Sequence, residues 1–272
     1  MAKQGPVGIE VGGFQPYDSK DKFKAQNKQG NRIKKMYAVV SGKGGVGKSS
    51  ISCMFADAAN KLGYKTGLMD ADITGPSVPK ILGVHETAAA TETEVYPALT
   101  KGGIKYISIN LLLEDDNDPV LWRGPILGGV VKQFYEEVLW GDIDIMFVDM
   151  PPGTGDVPLT VYQSLPIDGI IMISSPQSLS GMIVAKAINM ANQMNIPIVG
   201  IVENMSYFEC PDTKKQHKIF GESHIEELAN KYGLKVLAKL PIDPSLTALC
   251  DAGRLEDIAE NPVIDIVKEY LA

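Results

Sequence analysis

The residues most clearly suited to chemistry lie in one glycine-rich stretch, Gly42–Ser49. Its first glycine and the run Gly47-Lys48-Ser49 match the spacing of a phosphate-binding loop, with an apolar run before it and a helical pattern after it. Glycines let the backbone approach a triphosphate and aim several N–H groups at its oxygens. Lys48 can neutralise the β- and γ-phosphate oxygens, and the Ser49 hydroxyl can ligate Mg²⁺. The stretch therefore predicts an Mg–ATP site; the alternative is a chance glycine turn between a strand and a helix. The residues predicted to bind the nucleotide here are Gly42, Lys43, Gly44, Gly45, Val46, Gly47, Lys48, Ser49 and Ser50.

Carboxylates follow two further apolar runs. Asp149 ends the run Ile145–Val148, and Asp70 and Asp72 follow the run Thr66–Met69. Residues at the carboxyl ends of parallel strands face the crevice where ligands bind in open α/β sheets. We therefore predict that Asp149, acting through water, holds Mg²⁺ together with Ser49 and Asp70. The alternative for Asp70 and Asp72 is that they are turn residues.

The elements that must position these residues alternate along the chain. Short apolar runs are typical of strands covered on both faces by helices, and amphipathic stretches separate them. This pattern predicts an α/β fold with a doubly wound, mostly parallel sheet, and two alternating runs within Val95–Ile109 predict an added hairpin. The apolar runs are Met36–Val40, Thr66–Met69, Ile145–Val148, Gly169–Ile173, Pro197–Val202 and Val236–Leu240, and the helical stretches are Lys48–Leu62, Ile126–Leu139, Leu179–Met194, Ser223–Tyr232 and Asn261–Leu271.

Charge divides the chain into two parts. The net charge is -7, which argues against a broad basic face for nucleic acid. Eight Lys/Arg against three Asp/Glu give residues 1–35 a charge of +5, which leaves −12 for the remainder. We predict a basic, disordered arm over residues 1–35, serving either as a docking segment or as a solvated leader, and one ATPase domain over residues 36–272.

Composition indicates the compartment. No stretch approaches the roughly 20 apolar residues needed to cross a bilayer, and the N-terminus lacks the apolar core of a signal peptide. The three cysteines, Cys53, Cys210 and Cys250, are odd in number and widely spaced, which fits a reducing compartment. We therefore predict a cytoplasmic protein without a transmembrane segment.

The form Gly-Lys-Gly-Gly-x-Gly-Lys-Ser at residues 42–49 resembles the deviant P-loop group of MinD, ParA, ArsA and the nitrogenase iron protein. The resemblance implies a face-to-face homodimer in which Lys43 reaches the phosphates bound by the partner subunit. It makes Lys43 and Lys48 catalytic, and Asp72 the residue that positions the attacking water. It also implies that Asn204 hydrogen-bonds the adenine edge, and that the loop containing Pro241 and Asp243 frames the base. The alternative for Asn204 is a helix cap or turn former.

Within this group the chain resembles the Mrp/ApbC branch, which carries iron–sulfur clusters. The likeness spans roughly residues 36–271 and is most specific at Asp70–Ser77, Asp149–Asp156 and Glu203–Gly221. It implies an ATP-hydrolysing homodimer that passes a bridging 4Fe–4S cluster to apo acceptor proteins. The branch has Cys-x-x-Cys where this chain has Cys210-Pro211-Asp212-Thr213. Cys210 is therefore a candidate cluster ligand with Thr213 in place of the second thiol, and a surface cysteine is the alternative.

Two other functions stay open. A MinD/ParA-like switch would open and close a dimer with ATP, position a partner protein and hold no cluster. A small-molecule kinase is the third hypothesis. It is disfavoured because Lys43 and the loop Asp149-Met150-Pro151-Pro152 suit phosphate sensing between two subunits better than a substrate pocket.

Overall fold

The computed structural model describes residues 25–72, 77–84, 94–108, 124–177 and 180–272. The described residues form one sheet of nine strands. The buried strands coincide with the apolar runs, because apolar side chains on both faces of a strand require cover on both sides. The strands are β1 (Arg32–Ser41), β2 (Thr66–Asp70), β3 (Ala98–Leu99), β4 (Lys105–Ile107), β5 (Asp142–Asp149), β6 (Gly169–Ser174), β7 (Ile198–Glu209), β8 (Gln216–His217) and β9 (Val236–Pro241).

The sheet is parallel except at its two ends. Its order is β3-β4-β2-β5-β1-β6-β7, with β9 parallel to β7 and β8 antiparallel to the far end of β7. The predicted hairpin is confirmed: β3 and β4 pair antiparallel, and the Thr100 N–H donates to the Ile104 carbonyl across the turn. The predicted doubly wound, mostly parallel fold is therefore correct.

Helices form the layers that cover the sheet. Helix α1 packs against β1, β2 and β5, while α3 packs against α4. The Phe55 ring of α1 stacks on Phe147 of β5, with centroids 5.7 Å apart. The helices are α1 (Lys48–Lys61), α2 (Val78–Leu82), α3 (Gly124–Glu136), α4 (Asp156–Ser164), α5 (Ser180–Gln193), α6 (Ile225–Tyr232), α7 (Pro244–Asp251) and α8 (Ile264–Ile266), the last continuing as a π-helical turn over Val267–Leu271.

All five predicted helices are present, with shifted ends, but α2, α4 and α7 were not predicted. These three are short, at five, nine and eight residues, and each contains a proline in its first turn or close to it. Proline is tolerated there because its missing N–H has no intrahelical partner in any case. Proline is also common in turns, so these short segments have no clear helical pattern in the sequence.

The N-terminal boundary lies earlier than residue 36. β1 begins at Arg32 and pairs with β5 from Asp142 onward. The segment before it also packs on the domain, since Ala25 is buried and donates its N–H to the Ser164 carbonyl at 2.7 Å. The end of the predicted arm of residues 1–35 is thus part of the fold, and residues 1–24 lie outside the described residues. No helix in the described ranges has the length and apolarity to cross a membrane.

Candidate nucleotide site

Three neighbouring strands bring the predicted residues to one edge of the sheet. Asp70 at the end of β2 lies beside Asp149 at the end of β5, and Val39 of β1 lies on the other side of Asp149. The loop of residues 42–47 leaves β1 and enters α1 at Lys48. Parallel strands end at the same edge, so two carboxylates more than 70 residues apart along the chain meet next to the glycine loop.

The glycine loop depends on a close contact with β7. Gly47 has a φ of 81°, in the left-handed region, and a Cβ there would lie 2.4 Å from Asn204 Nδ2. Asn204 Nδ2 donates to the Val46 carbonyl at 2.9 Å. Glycine is therefore required at position 47 both by the backbone conformation and by the space that the Asn204 amide occupies. Asn204 braces the loop, and its hydrogen bond to adenine stays a prediction.

Asp149 is the centre of a buried polar network. Its carboxylate accepts from Lys48 Nζ at 2.8 Å, from Ser49 Oγ at 2.6 Å and from Ser52 Oγ at 2.6 Å. Lys48 is 6% exposed and Asp149 is fully buried. A buried charge is stable only when it is paired and hydrogen-bonded. The network therefore holds Lys48 and the Ser49 hydroxyl at the start of α1, where the helix N-terminus adds partial positive charge.

Asp70 and Asp72 complete the acidic side. Lys48 Nζ lies 3.7 Å from Asp72 Oδ2. Asp70 accepts from the Asp72 N–H at 3.0 Å and from Ser108 Oγ at 3.2 Å. Burial, and next the adjacent Asp149 carboxylate, raise the pKa of Asp70 well above its usual value, against the lowering effect of Lys48. The residues 73–76 that follow Asp72 in the predicted switch lie outside the described ranges.

A cavity of about 660 Å³ opens over this network. Of the predicted residues, it brings together Gly44, Gly45, Gly47, Lys48, Ser49, Ser50, Asp72, Asn204, Pro241 and Asp243. Gly42, Lys43, Val46, Asp70 and Asp149 are outside its lining. One end is therefore the glycine loop and its lysine, and the other is the loop after β9.

The far end of the cavity is built by the start of α7. Asp243 caps this helix, accepting from the N–H groups of Ser245 at 2.8 Å and Leu246 at 3.3 Å. Partial burial raises the pKa of Asp243, but the hydrogen bonds from Ser245 and Leu246 outweigh it and leave the pKa below its usual value. The Asp243 carboxylate is thus engaged by its own helix.

The donor set fits Mg–ATP. A cradle that contains Gly44, Gly45 and Gly47 leaves room for phosphate oxygens, and Lys48 with the N-terminus of α1 supplies positive charge. Magnesium prefers hard oxygen ligands, and the Ser49 hydroxyl lies 2.6 Å from a carboxylate oxygen of Asp149. The residues that would hold the metal are therefore adjacent to each other and to the cradle.

Lys43 points elsewhere. Its ammonium donates to the Gln177 Oε1, beyond the end of β6, and Gln177 lines a second cavity of about 310 Å³. Lys43 thus lies beside the nucleotide cavity without lining it. Its predicted role on a partner subunit stays a prediction.

Cys210 lies in a tight turn between β7 and β8. The Cys210 N–H donates to the Lys215 carbonyl at 3.0 Å, and the Lys214 N–H donates to the Cys210 carbonyl at 2.8 Å. Hydrogen bonds from the Thr213 hydroxyl and backbone N–H, and then from the Asp212 N–H, lower the pKa of the Cys210 thiol. Thr213 therefore serves the sulfur as a donor. Within the described ranges no cluster of three or more His, Cys, Asp or Glu side chains could hold a metal ion, so Cys210 has no complete ligand set among these residues.

Comparison with models of protein families identifies the family of this chain. The model of the ParA family described as the NUBPL iron-transfer P-loop NTPase matches residues 32–271. This chain belongs to that family. The matched region begins at the first residue of β1, in agreement with the earlier domain boundary.

Curated relatives of this P-loop NTPase align with most of the chain. The iron–sulfur cluster carrier protein of Clostridium perfringens is 43% identical over 248 residues, which cover 88% of this chain and 87% of that protein. The carrier protein of Methanocaldococcus jannaschii is 46% identical, covering 82% and 78%. A Dictyostelium discoideum homolog of the cytosolic Fe-S cluster assembly factor NUBP2 is 41% identical, covering 82% and 86%.

Solved structures share the fold of this chain. A nucleotide-binding protein of Archaeoglobus fulgidus in complex with ADP is 40% identical, with a TM-score of 0.75 and coverage of 84% of this chain and 90% of that one. The cell-division ATPase MinD of Pyrococcus furiosus is 16% identical with a TM-score of 0.60, covers 84% and 92%, and shares the fold. The predicted MinD-like architecture and the predicted branch are thus both confirmed.

Sequence reasoning missed several residues of this NTPase site. Ser52 binds Asp149 because it lies one helical turn after Lys48, a spacing that could have identified it. Phe220 lines the nucleotide cavity, and it lies within Glu203–Gly221, one of the segments that carry the resemblance to the branch. Lys80 and residues of α7 also line the cavity, and no motif near them indicated a nucleotide site.

Proposed function

We propose that this P-loop NTPase binds Mg–ATP in the 660 Å³ cavity, hydrolyses it to ADP and phosphate as a homodimer, and carries an iron–sulfur cluster at Cys210. The observation that carries the nucleotide part is the contact of Lys48 and Ser49 with the buried Asp149 at the base of that cavity. The names of the relatives at 41–46% identity, two iron–sulfur cluster carrier proteins and one homolog of a cytosolic Fe-S cluster assembly factor, support the second part.

The site residues divide the work of hydrolysis. The loop N–H groups and Lys48 bind the phosphates, and Ser49 and Asp149, with Asp70 near them, would hold Mg²⁺. The metal would supply positive charge that neutralises the phosphate oxygens. Asp72 orients a water for in-line attack on the γ-phosphorus; the bond to the bridging oxygen breaks, ADP leaves, and the water's protons pass to phosphate and solvent. The position of Asp72, 3.7 Å from Lys48 Nζ, supports this role.

The dimer joins the nucleotide faces of two copies. Lys43 releases Gln177 and contacts the nucleotide of the partner subunit. The support is that Lys43 lies at the edge of the cavity with a side chain that is only partly buried. The second copy also brings a second Cys210.

The cluster is cargo held between two Cys210 thiolates. Hydrogen bonds from the Thr213 side chain and backbone favour the thiolate, which is the form that binds iron. A cubane cluster takes four ligands, so two thiolates leave positions for His217, Asp212 or an external thiol. Incomplete ligation makes the cluster labile, which suits delivery to apo acceptor proteins in the cytoplasm.

Isothermal titration with Mg–ATP tests the nucleotide site. We expect Lys48→Ala to abolish measurable binding, since uncompensated phosphate charge in a partly desolvated loop is unfavourable. Lys65→Ala, at an exposed lysine distant from the cavity, is the matched control and retains wild-type affinity.

Asp72→Ala tests the residue that orients the water. The variant should bind ATP normally and hydrolyse it slowly; a loss of affinity instead would make Asp72 a metal or structural residue.

Anaerobic reconstitution with iron and sulfide tests the carrier part. We expect iron in the wild type and none in Cys210→Ser, whereas Cys250→Ser, at a buried thiol of α7, keeps it. Iron that persists in Cys210→Ser places the site elsewhere. If the wild type binds ATP and takes up no iron, the carrier function is wrong and the ATP-driven dimerisation switch remains. Thr213 at the second ligand position favours that switch.

A further inference from the structure

Phe220 is an aromatic residue without a core to pack into. Its side chain is 39% exposed, and it lines the nucleotide cavity along with Pro241 and Ile242 of the loop after β9. Its neighbour Ile219 is 59% exposed and lies outside the cavity lining. An exposed ring at the wall of a nucleotide cavity is suited to contact the flat face of a base.

The turn that carries Phe220 is fixed on both sides. Before it, β8 pairs with the end of β7, Phe208 opposite His217. After it, the Gly221 N–H donates to the Lys218 carbonyl at 3.1 Å, and Ser223 Oγ donates to the buried Glu203 of β7 at 2.6 Å. The ring is thus held at the cavity by contacts at both ends of a short segment.

The same hairpin carries Cys210. β7 contains Asn204, which lines the cavity, and Cys210 follows one residue beyond the end of this strand. Six residues of regular strand would span roughly 20 Å. The distance here is shorter, because Met205 has a φ of 56° and the pairing with β9 shifts register between Glu203 and Tyr207. The chain then turns, pairs back along β7 as β8 and returns to the cavity at Phe220. The thiol and the ring therefore lie at two ends of one hairpin.

We propose that Phe220 stacks on the base of the bound nucleotide, and that nucleotide binding thereby restrains the hairpin of residues 207–221 and alters the reactivity of Cys210. The proposal rests on the nucleotide site proposed above and adds a base-binding residue and a route of regulation to it. Stacking on an aromatic ring is tolerant of base identity, so the ring adds affinity for any nucleoside phosphate.

Titration with two ligands tests the stacking. Phe220→Ala should bind Mg–ADP about tenfold more weakly than the wild type, with unchanged affinity for Mg–tripolyphosphate, which has no base. Phe220→Trp should retain the ADP affinity. The matched control Ile219→Ala should bind both ligands as the wild type does. Equal loss for both ligands, or no loss for ADP, overturns the stacking. A wild type that binds neither ligand contradicts the proposed nucleotide site itself.

Alkylation of Cys210, followed by peptide mass spectrometry, tests the coupling. Saturating Mg–ADP should change the Cys210 rate about fivefold or more in the wild type and in Ile219→Ala. Phe220→Ala, saturated with ADP, should show the ADP-free rate. A wild-type rate that ADP does not change, or a Phe220→Ala response equal to the wild type, overturns the route through the ring. Sedimentation velocity tests whether the two residues act in dimer formation instead. If Phe220→Ala and Ile219→Ala both lower the fraction of dimer, Phe220 and Ile219 form an interface with a second copy and the proposal is wrong.

Discussion

At the scale of single residues, the site is organised around a carboxylate that the nucleotide does not need to touch. Asp149 is fully buried outside the cavity lining and holds Lys48 and two hydroxyls by hydrogen bonds of 2.6–2.8 Å. Its desolvation is offset by one cation and two donors. The charge of the phosphate-binding lysine is therefore compensated before any nucleotide arrives.

This pairing predicts a separation of stability from binding. Lys48→Met should lower the free energy of unfolding by about 3 kcal/mol, because Asp149 keeps its two hydroxyl donors but loses its cation. Adding Asp149→Asn should restore most of that loss without restoring nucleotide binding. Chemical denaturation of the nucleotide-free proteins measures the first effect and titration the second. If the double variant is no more stable than Lys48→Met, the ion pair between Lys48 and Asp149 does not contribute to the stability of the site.

Thr213 allows a second prediction at this scale. Its hydrogen bonds favour the Cys210 thiolate, so the pKa of the thiol lies below its usual value. Thr213→Val removes the hydroxyl donor and keeps the size, so the pKa should rise and the thiolate fraction at neutral pH should fall. The alkylation rate of Cys210 should then be lower near pH 7 and converge with the wild-type rate at alkaline pH, where both thiols are ionised. Thr247→Val, at an exposed threonine of α7, is the control. Superimposable pH profiles would show that the hydroxyl does not act on the sulfur.

At the scale of elements, β7 links the phosphate loop to the rest of the cavity. The side chain of Asn204 extends from this strand, donates a hydrogen bond to the Val46 carbonyl and fills the space beside Gly47. The strand then continues to the turn of Cys210. A single strand thus braces the nucleotide loop and carries the candidate cluster ligand.

The brace predicts how Asn204→Ala behaves. If its main work is to hold the loop, the variant should lose affinity for Mg–ADP and Mg–tripolyphosphate by the same factor, about tenfold, since a buried carbonyl loses its partner. If Asn204 recognises adenine, only the ADP affinity falls and discrimination against other bases weakens. Parallel titrations of the two ligands separate these roles. We expect a loss of affinity for both ligands from the missing brace, and a further loss for ADP alone from the missing adenine hydrogen bond.

At the scale of the whole molecule, the two lysines of the phosphate loop face different parts of the surface. Lys43 is held on Gln177 and outside the cavity, while the phosphate loop already has Lys48. Two lysines in one loop thus have different surroundings, one buried and committed to Asp149, the other at the surface.

This difference predicts that Lys43→Ala binds Mg–ADP with wild-type affinity but fails to dimerise with a non-hydrolysable ATP analogue. Gln177→Ala, which only frees Lys43, should dimerise at least as well as the wild type. Sedimentation velocity with and without the analogue measures both. A Lys43→Ala protein with normal dimerisation and turnover would show that Lys43 is an ordinary surface residue.

Features that depend on neighbours along the chain can be predicted from the amino-acid sequence. The glycine loop, its lysine and serine, the alternation of strands and helices, and the hairpin at Thr100–Gly103 follow from local backbone requirements and hydrophobic periodicity. The start of β1 was missed, because Arg32, Lys34 and Lys35 are charged and the end of the strand where they lie is largely exposed. Exposed strand ends have no apolar signal.

Contacts between residues that are distant along the chain depend on the tertiary structure. Asp149 and Lys48 are 101 residues apart, Asn204 and Val46 are 158 apart, and Phe220 reaches the cavity through a returning hairpin. Each contact depends on the order β2-β5-β1-β6-β7, which chain order does not specify. The physical reason is that a parallel sheet brings together the carboxyl ends of strands far apart in the sequence, so the partners of each polar group are set by strand order.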